Sequence, residues 1–270
     1  MREELLTWAA TTIGRILEVH PLHDEQGPWR LLTPDRSAVL RAPTPRVDAA
    51  MIATGATALQ LAERYHLPAP RLLNTDLSGA DAGVPASLET DVPGSTTWPA
   101  ATPETLRSAA DALARLHSIP MDPQEHLPYR PRPIAVDDFA TDRRTGRIPT
   151  TPLLQEADAL VRAHGQPTEP TVLVHGDVWP GNLLWNGGRV AAFIDWKTAG
   201  VGAPGVDLSE LRKQIAITFA PQALTNWHHD FPNRAYWDAV AALNTPTTLY
   251  SQQATTRRDV FLHQAVQRLR

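Results

Sequence analysis

Cysteine is absent from this 270-residue chain, which excludes disulfides, thiolate zinc sites and cysteine nucleophiles together. Lysine is nearly absent too: Lys197 and Lys213 are the only two, so arginine carries almost all the positive charge. There is no basic excess. A net charge of −4 offers no field to attract nucleic acid, and none is expected as a partner. No apolar run reaches 18 residues, so no membrane span is expected. The N-terminal stretch carries Glu3 and Glu4 and lacks a long apolar core, which makes a poor signal peptide. The expected location is the cytoplasm. With 42% hydrophobic and 20% charged residues, the chain has the composition of a globular protein, long enough for two lobes around a cleft.

Periodicity divides the chain near Pro93-Gly94. Before it, strand-like runs occur at Thr12–Val19, Trp29–Thr33, Ala38–Arg41, Arg71–Thr75 and Val84–Asp91, with a helical stretch from Val47 to Tyr65. Antiparallel strands with one inserted helix make an α+β lobe. After it, Thr102-Pro103 caps and opens a helix with apolar residues at Leu106, Ala109, Ala110, Leu113 and Leu116. Residues 120–150 are rich in proline and charge, Leu153–His164 is helical by pattern, and the chain beyond Leu211 alternates helices with prolines. The expectation is residues 1–93 as a smaller α+β lobe and residues 94–270 as a larger, mostly helical lobe.

The chemistry concentrates between Thr171 and Leu211. Val172-Leu173-Val174 runs into His175-Gly176-Asp177-Val178-Trp179-Pro180-Gly181-Asn182, followed by Leu183-Leu184-Trp185, Asn186-Gly187-Gly188 and Val190–Ile194. Asn-Gly between two apolar runs predicts a hairpin, because both turn residues must accept positive φ. Paired strands lie about 4.8 Å apart, so the hairpin folds Asp195 back beside Asn182, with Asp177 on the loop just before. A carboxylate and an amide oxygen converging in this way suit Mg²⁺, a hard cation that prefers oxygen ligands. Asp-x4-Asn followed, after a hairpin, by a second Asp is the protein-kinase layout. In phosphoryl transfer, metal ligands work beside one carboxylate aligned on the attacking hydroxyl.

These residues, with Ile194-Asp195-Trp196, Gly202-Ala203-Pro204 and Asp207-Leu208, make the chain similar to the aminoglycoside phosphotransferase family, relatives of choline and homoserine kinases. The order of the remaining elements is similar as well, including Leu113-Ala114-Arg115-Leu116-His117 on the helix after the hinge. The resemblance implies a two-lobed protein-kinase-like α+β fold, with a small antiparallel-sheet N-lobe and a larger helical C-lobe. It implies ATP or another NTP in the cleft, Asp177 as catalytic base or hydroxyl orienter, and Asn182 and Asp195 as Mg²⁺ ligands. It sets adenine against the backbone at Leu88, Glu89, Thr90, Asp91 and Val92. The implied reaction moves the γ-phosphoryl group to a hydroxyl of a small molecule, such as an aminoglycoside or another antibiotic. The alternatives are a kinase of an amino-alcohol or sugar metabolite, or a non-catalytic nucleotide-binding relative.

Three departures from the family stand out. Relatives carry a lysine on the third strand, whereas no lysine precedes Lys197 here. Arg41 is the best substitute, although arginine and lysine are not interchangeable in shape. The usual glutamate on the following helix is missing or displaced, since the only acid between Val47 and Gln60 is Asp48. Ala203 stands where relatives commonly carry an Asp before the proline. From Gly205 onward five acids face seven Lys and Arg residues, a balance that argues mildly against a strongly cationic acceptor. The group Asp137, Asp138 and Asp142 could still serve one. Asp207-x-x-Glu210 has the spacing of a capping box at a helix start. His175 is expected to buttress the loop, His117 to be a satisfied core histidine, and Trp179, Trp185 and Trp196 to pack the hairpin. Trp227, Tyr236 and Trp237 are expected either in the core or lining an acceptor pocket.

Overall fold

The computed structural model describes residues 3–23 and 27–270. Helix α1 (Glu3–Ile13) leads into strands β1 (Glu18–Pro21), β2 (Trp29–Leu32) and β3 (Ser37–Arg41), then α2 (Ala49–Arg64), β4 (Leu72–Asp76) and β5 (Ala86–Thr90). Among the described residues these strands form one antiparallel sheet in the order β1-β2-β3-β5-β4. The stretch expected as a strand over Thr12–Val19 is instead the end of α1, a break and the start of β1. Leu5, Trp8, Ala9 and Ile13 recur at helical spacing and bury against Leu31, Leu40 and Leu88 of the sheet. Gly14, at φ 86°, then ends the helix where a side chain would be strained.

The C-lobe holds α3 (Pro103–Leu116), α4 (Phe139–Arg144), α5 (Pro152–His164), β6 (Val172–Val174), β7 (Leu183–Asn186), β8 (Arg189–Phe193) and β9 (Gly200–Gly202). Helices α6 (Gly205–Phe219), α7 (Arg234–Leu243) and α8 (Gln252–Leu269) complete it. Thr102 caps α3 by accepting from the Thr105 N–H, with Pro103 in the first turn as expected. Two short ladders, β6–β9 and β7–β8, carry the chemistry-bearing loops. The lobes share a core. Ala58, Leu59 and Ala62 of α2 pack in one apolar cluster with Leu113, Phe193, Trp196 and Trp237. Between β5 and α3, Ser95 exchanges two backbone hydrogen bonds with Trp185 of β7.

Trp227, Tyr236 and Trp237 all belong to that core. Trp237 is fully buried over the start of α6. A methyl group at Gly205 would fall inside its indole ring. Gly205→Ala is therefore expected to lower stability by about 2–3 kcal/mol through overpacking. An unchanged melting temperature in a thermal scan would contradict that expectation.

Candidate active site

The β7–β8 hairpin forms as its sequence demands, with one refinement. Asn186 pairs with Arg189, so the two-residue turn is Gly187-Gly188, with φ of 56° and 78°. At the open end the Ile194 N–H donates to the Asn182 carbonyl at 2.9 Å, which brings Asn182 and Asp195 side by side. Asp195 itself sits in the left-handed region (φ 66°, ψ 58°), a conformation that Asp tolerates better than most residues. The segment around it is pinned. Trp196 is buried and donates its indole N–H to the Phe193 carbonyl at 2.9 Å.

His175 ties this segment to the loop bearing Asp177. Its Nε2 lies 3.0 Å from the Ile194 carbonyl, and its Nδ1 accepts from the Asp177 N–H at 3.3 Å. That pairing assigns the proton to Nε2, and burial depresses the ring's pKa. A neutral, fully satisfied imidazole is a buttress, as expected from sequence.

Asp207 does something the capping-box spacing did not anticipate. It lies inside the first turn of α6, which begins after Pro204, and its side chain leaves the helix altogether. One carboxylate oxygen accepts from the His175 N–H at 2.8 Å and meets His117 Nε2 at 3.0 Å; the other accepts from the Gly176 N–H at 2.8 Å. Fully buried, Asp207 is the latch that shapes the loop bearing Asp177. Glu210, the other half of the expected box, is instead consumed by Lys213 at 2.6 Å and Gln214 at 2.8 Å.

The three expected site residues converge. Asn182 Nδ2 donates to the Asp177 carbonyl and to Asp177 Oδ2, both at 3.0 Å, which leaves the Asn182 amide oxygen unengaged. Burial, with Glu210 and Asp195 nearby, pushes the Asp177 carboxyl up to about 7. Asp195 is held by two cations: Arg41 Nη1 donates to Oδ1 at 2.8 Å and Lys197 Nζ donates to Oδ2. Burial alone would raise its pKa, but Arg41 and Lys197 outweigh burial and hold it below the usual carboxylate range.

Arg41 has a second partner. Its Nε donates to Glu89 Oε1 at 2.9 Å. The acid that pairs with this cation therefore comes from β5, and α2 supplies none. Of the hinge residues, Leu88 is sealed in the N-lobe core, Glu89 is buried against Arg41, and Thr90 Oγ1 accepts from the Arg71 N–H. Asp91 pairs with Arg30 and Ser37. Glu89, Thr90, Asp91 and Val92, with Trp179, Asn182 and Asp195, line a cavity of about 680 Å³ between the lobes. A second cavity of about 610 Å³ meets Asp177 and Asp195, lined from the N-lobe by Pro28, Arg41, Thr44 and Arg46 and from the C-lobe by Ile134, Trp179, Lys197 and Gln214. Trp179 does not pack the hairpin: its ring is 41% exposed on the lip between these two spaces.

The donor set fits a hard divalent ion. It is all oxygen, with an amide oxygen of Asn182 that accepts no hydrogen bond from the described residues beside the Asp195 carboxylate, whose oxygens meet Arg41 and Lys197 here. Among the described residues no cluster of three His, Cys, Asp or Glu could hold a metal unaided. An ion here would draw further ligands from phosphates and water, as Mg²⁺ does.

Sequence reasoning missed two contributors, Lys197 and Asp207. Lys197 carried a signal: it lies two residues past Asp195 in a chain with only two lysines. Asp207 belonged to the motif and had the spacing of a helix cap, but its role on the loop was hidden because its partners are up to 90 residues away.

An antiparallel sheet lobe over a helical lobe, with a loop aspartate, an asparagine and a hairpin aspartate in the cleft, defines a kinase-like fold and site. The chain belongs to the phosphotransferase enzyme family, whose sequence profile matches residues 18–243. No curated protein matches it. Among solved structures, it resembles a thermostable mutant of aminoglycoside phosphotransferase APH(4)-Ia, in ternary complex with AMP-PNP and hygromycin B. That match has a TM-score of 0.65 and 15% identity over 97% of each chain. It also resembles the macrolide 2'-phosphotransferase MphH from Brachybacterium faecium (TM-score 0.58, 20% identity, 90% of this chain and 99% of that one). A third likeness is to APH(2")-IIa in its ternary complex with streptomycin and ATP (TM-score 0.57, 15% identity, 90% of each chain). At such identities these neighbours speak to the fold. Among the described residues no helix is long and apolar enough to cross a membrane.

Proposed function

We propose that the protein transfers the γ-phosphoryl group of ATP, with magnesium, to a hydroxyl of a small molecule, working in the cytoplasm. The observation that carries this reading is the convergence of Asp177, Asn182 and Asp195 at the junction of two cavities. One cavity reaches the hinge after β5, and the other reaches Ile134 and Gln214 of the C-lobe.

Asp177 takes the proton of the acceptor hydroxyl as its oxygen forms a bond to the γ-phosphorus. The bond from phosphorus to the bridging oxygen breaks, and ADP leaves. Asn182 steadies Asp177 through its amide N–H, so the carboxylate is aimed before substrate arrives. Asn182 Oδ1 and Asp195 are the groups that would hold the magnesium ion, which supplies charge neutralisation at the nucleotide phosphates. The chain at Asp91 and Val92, just past β5, would receive adenine, whereas Leu88 is held inside the sheet, and Arg41 stands at the phosphate end. On this reading the nucleotide-binding lobe is residues 1–93 and the acceptor belongs to residues 94–270.

Hygromycin B and streptomycin, bound by two of the neighbours, would make an aminoglycoside the first candidate acceptor. Charge pairing on this chain favours a less cationic one. Glu210 is neutralised by Lys213, and Asp238 is held by a bidentate Arg212 at 3.0 Å. Asp138 pairs with Arg132 and Asp142 with Arg147. Asp177 is thus the one carboxylate without a cation among the described residues lining the acceptor-side cavity, which also presents Arg46 and Lys197. A panel of aminoglycosides, macrolides, amino-alcohols and neutral sugars, incubated with Mg-ATP and scored by mass for one added phosphoryl group, tests both points. Transfer is expected to neutral or singly charged acceptors in preference to polycations. No transfer to any acceptor, with nucleotide still bound, would sink the enzymatic reading.

A further inference from the structure

The phosphoryl group in flight spreads negative charge over three oxygens and needs a protein cation facing it. In this chain the expected source is Arg41 on β3, but its surroundings argue otherwise. Its guanidinium is already divided between Glu89 and Asp195, at 2.9 and 2.8 Å. Glu89 is only 2% exposed, and Arg41 is its only ion-pair partner among the described residues. Pulling Arg41 away would strand a buried carboxylate, which is strongly unfavourable. The Arg41–Glu89 pair therefore stays together and contributes no net charge to the cleft.

Other cations fare no better. Lys213 is buried and bound to Glu210. Arg46 lines the acceptor-side cavity from the exposed segment between β3 and α2, with no ion-pair partner among the described residues and nothing to hold its long side chain in place.

Lys197 shares Asp195 and this cavity with Arg41, but among the described residues it has no buried acid such as Glu89 to hold it back. Its backbone is fixed in the short turn Trp196–Thr198, with Trp196 buried beneath it and Gly55 of α2 packed against its amide. The side chain is a quarter exposed, and Asp195 is its single ion-pair partner among the described residues. It lines the cavity that holds Asp177, Asp195 and Gln214, and its charge acts on the Asp177 carboxyl. An ammonium with three donors and one acid to satisfy retains donors for an incoming anion.

We propose that Lys197, and not Arg41, is the cation that faces the transferring γ-phosphoryl group. Arg41 is then a positioning residue that sets Asp195 in place from its buried anchor on Glu89. The chain has moved the catalytic positive charge from the sheet of one lobe to the turn after Asp195 in the other. No proton leaves Lys197 during transfer: its N–H groups hold the equatorial oxygens while the bond to ADP breaks and the acceptor bond forms. The inference rests on the phosphotransferase reading above.

Calorimetry with AMP-PNP and ADP, each with Mg²⁺, provides a readout that needs no turnover. Wild type is expected to bind AMP-PNP about tenfold more tightly than ADP, since only AMP-PNP carries the terminal group. Lys197→Met should abolish that preference while leaving ADP affinity within about threefold, and Lys197→Arg should restore part of it. Arg46→Met should keep it. In turnover with the best acceptor of the panel, Lys197→Met should lower kcat about a hundredfold and raise the KM for ATP by up to about tenfold, in step with the lost AMP-PNP affinity. A wild type without the preference, a Lys197→Met protein that keeps it, or its loss in Arg46→Met would each overturn the assignment. Wild type that shows the preference yet phosphorylates nothing would sink the enzymatic reading and leave Lys197 as the γ-phosphate contact.

Discussion

Asp177→Asn is expected to lower kcat about a thousandfold while nucleotide binding and the folded state persist, because it removes the proton acceptor and keeps the shape. In wild type, the Asp177 carboxyl is raised to about 7 by burial and by the neighbouring acids Glu210 and Asp195. The base works ionised, so kcat/KM is expected to fall as pH drops below about 7 and to level off above it. A raised carboxyl pKa also means that the folded state resists the charge. The resulting penalty is absent below the usual carboxylate range, grows as pH rises through it, and is complete above pH 7. Asp177→Asn should therefore melt higher than wild type at pH 8, by an amount on the order of 1–2 kcal/mol, and match it at pH 4. A variant that keeps a tenth of wild-type kcat, or that melts lower at pH 8, would contradict the role assigned to this carboxylate.

The second large effect is structural. Asp207→Ala removes the acceptor for the His175 and Gly176 N–H groups and for His117 at once, all in a site closed to water. Orphaned buried donors around a lost charged acceptor cost about 3–5 kcal/mol, a large share of a stability that is usually only about 5–15 kcal/mol. Denaturant titration should show the midpoint collapse, with activity lost alongside because the loop bearing Asp177 is no longer held. Asp207→Asn should recover little, since its amide N–H₂ would face donors. A loss below about 1 kcal/mol would mean that the latch is dispensable.

How much of this was legible beforehand follows from the range of each interaction. Asp177, Asn182 and Asp195 could be placed because the hairpin that joins them is local: a Gly-Gly turn between apolar runs sets the register, and register alone brings Asn182 to Ile194. Helix α3 announced itself through its cap and proline. Helix α1 was mistaken in part for a strand because its identity rests on burial under a sheet drawn from residues 31 to 88. The role of Trp179 was mistaken because exposure at a cleft lip depends on which elements fail to cover it.

Charge pairing marks the boundary most clearly. The sequence by itself determined the order and spacing of the reacting groups, the near absence of lysine, and the absence of any acid but Asp48 between Val47 and Gln60. Those are properties of the chain, readable without knowing what lies across the cleft. Only the tertiary structure decided that Arg41 is anchored by Glu89, that Glu210 is neutralised by Lys213, and that Lys197 pairs with Asp195. Coulomb and hydrogen-bond energies depend on separation and burial in space, and the folded backbone brings together cations and carboxylates that the chain holds up to 154 residues apart.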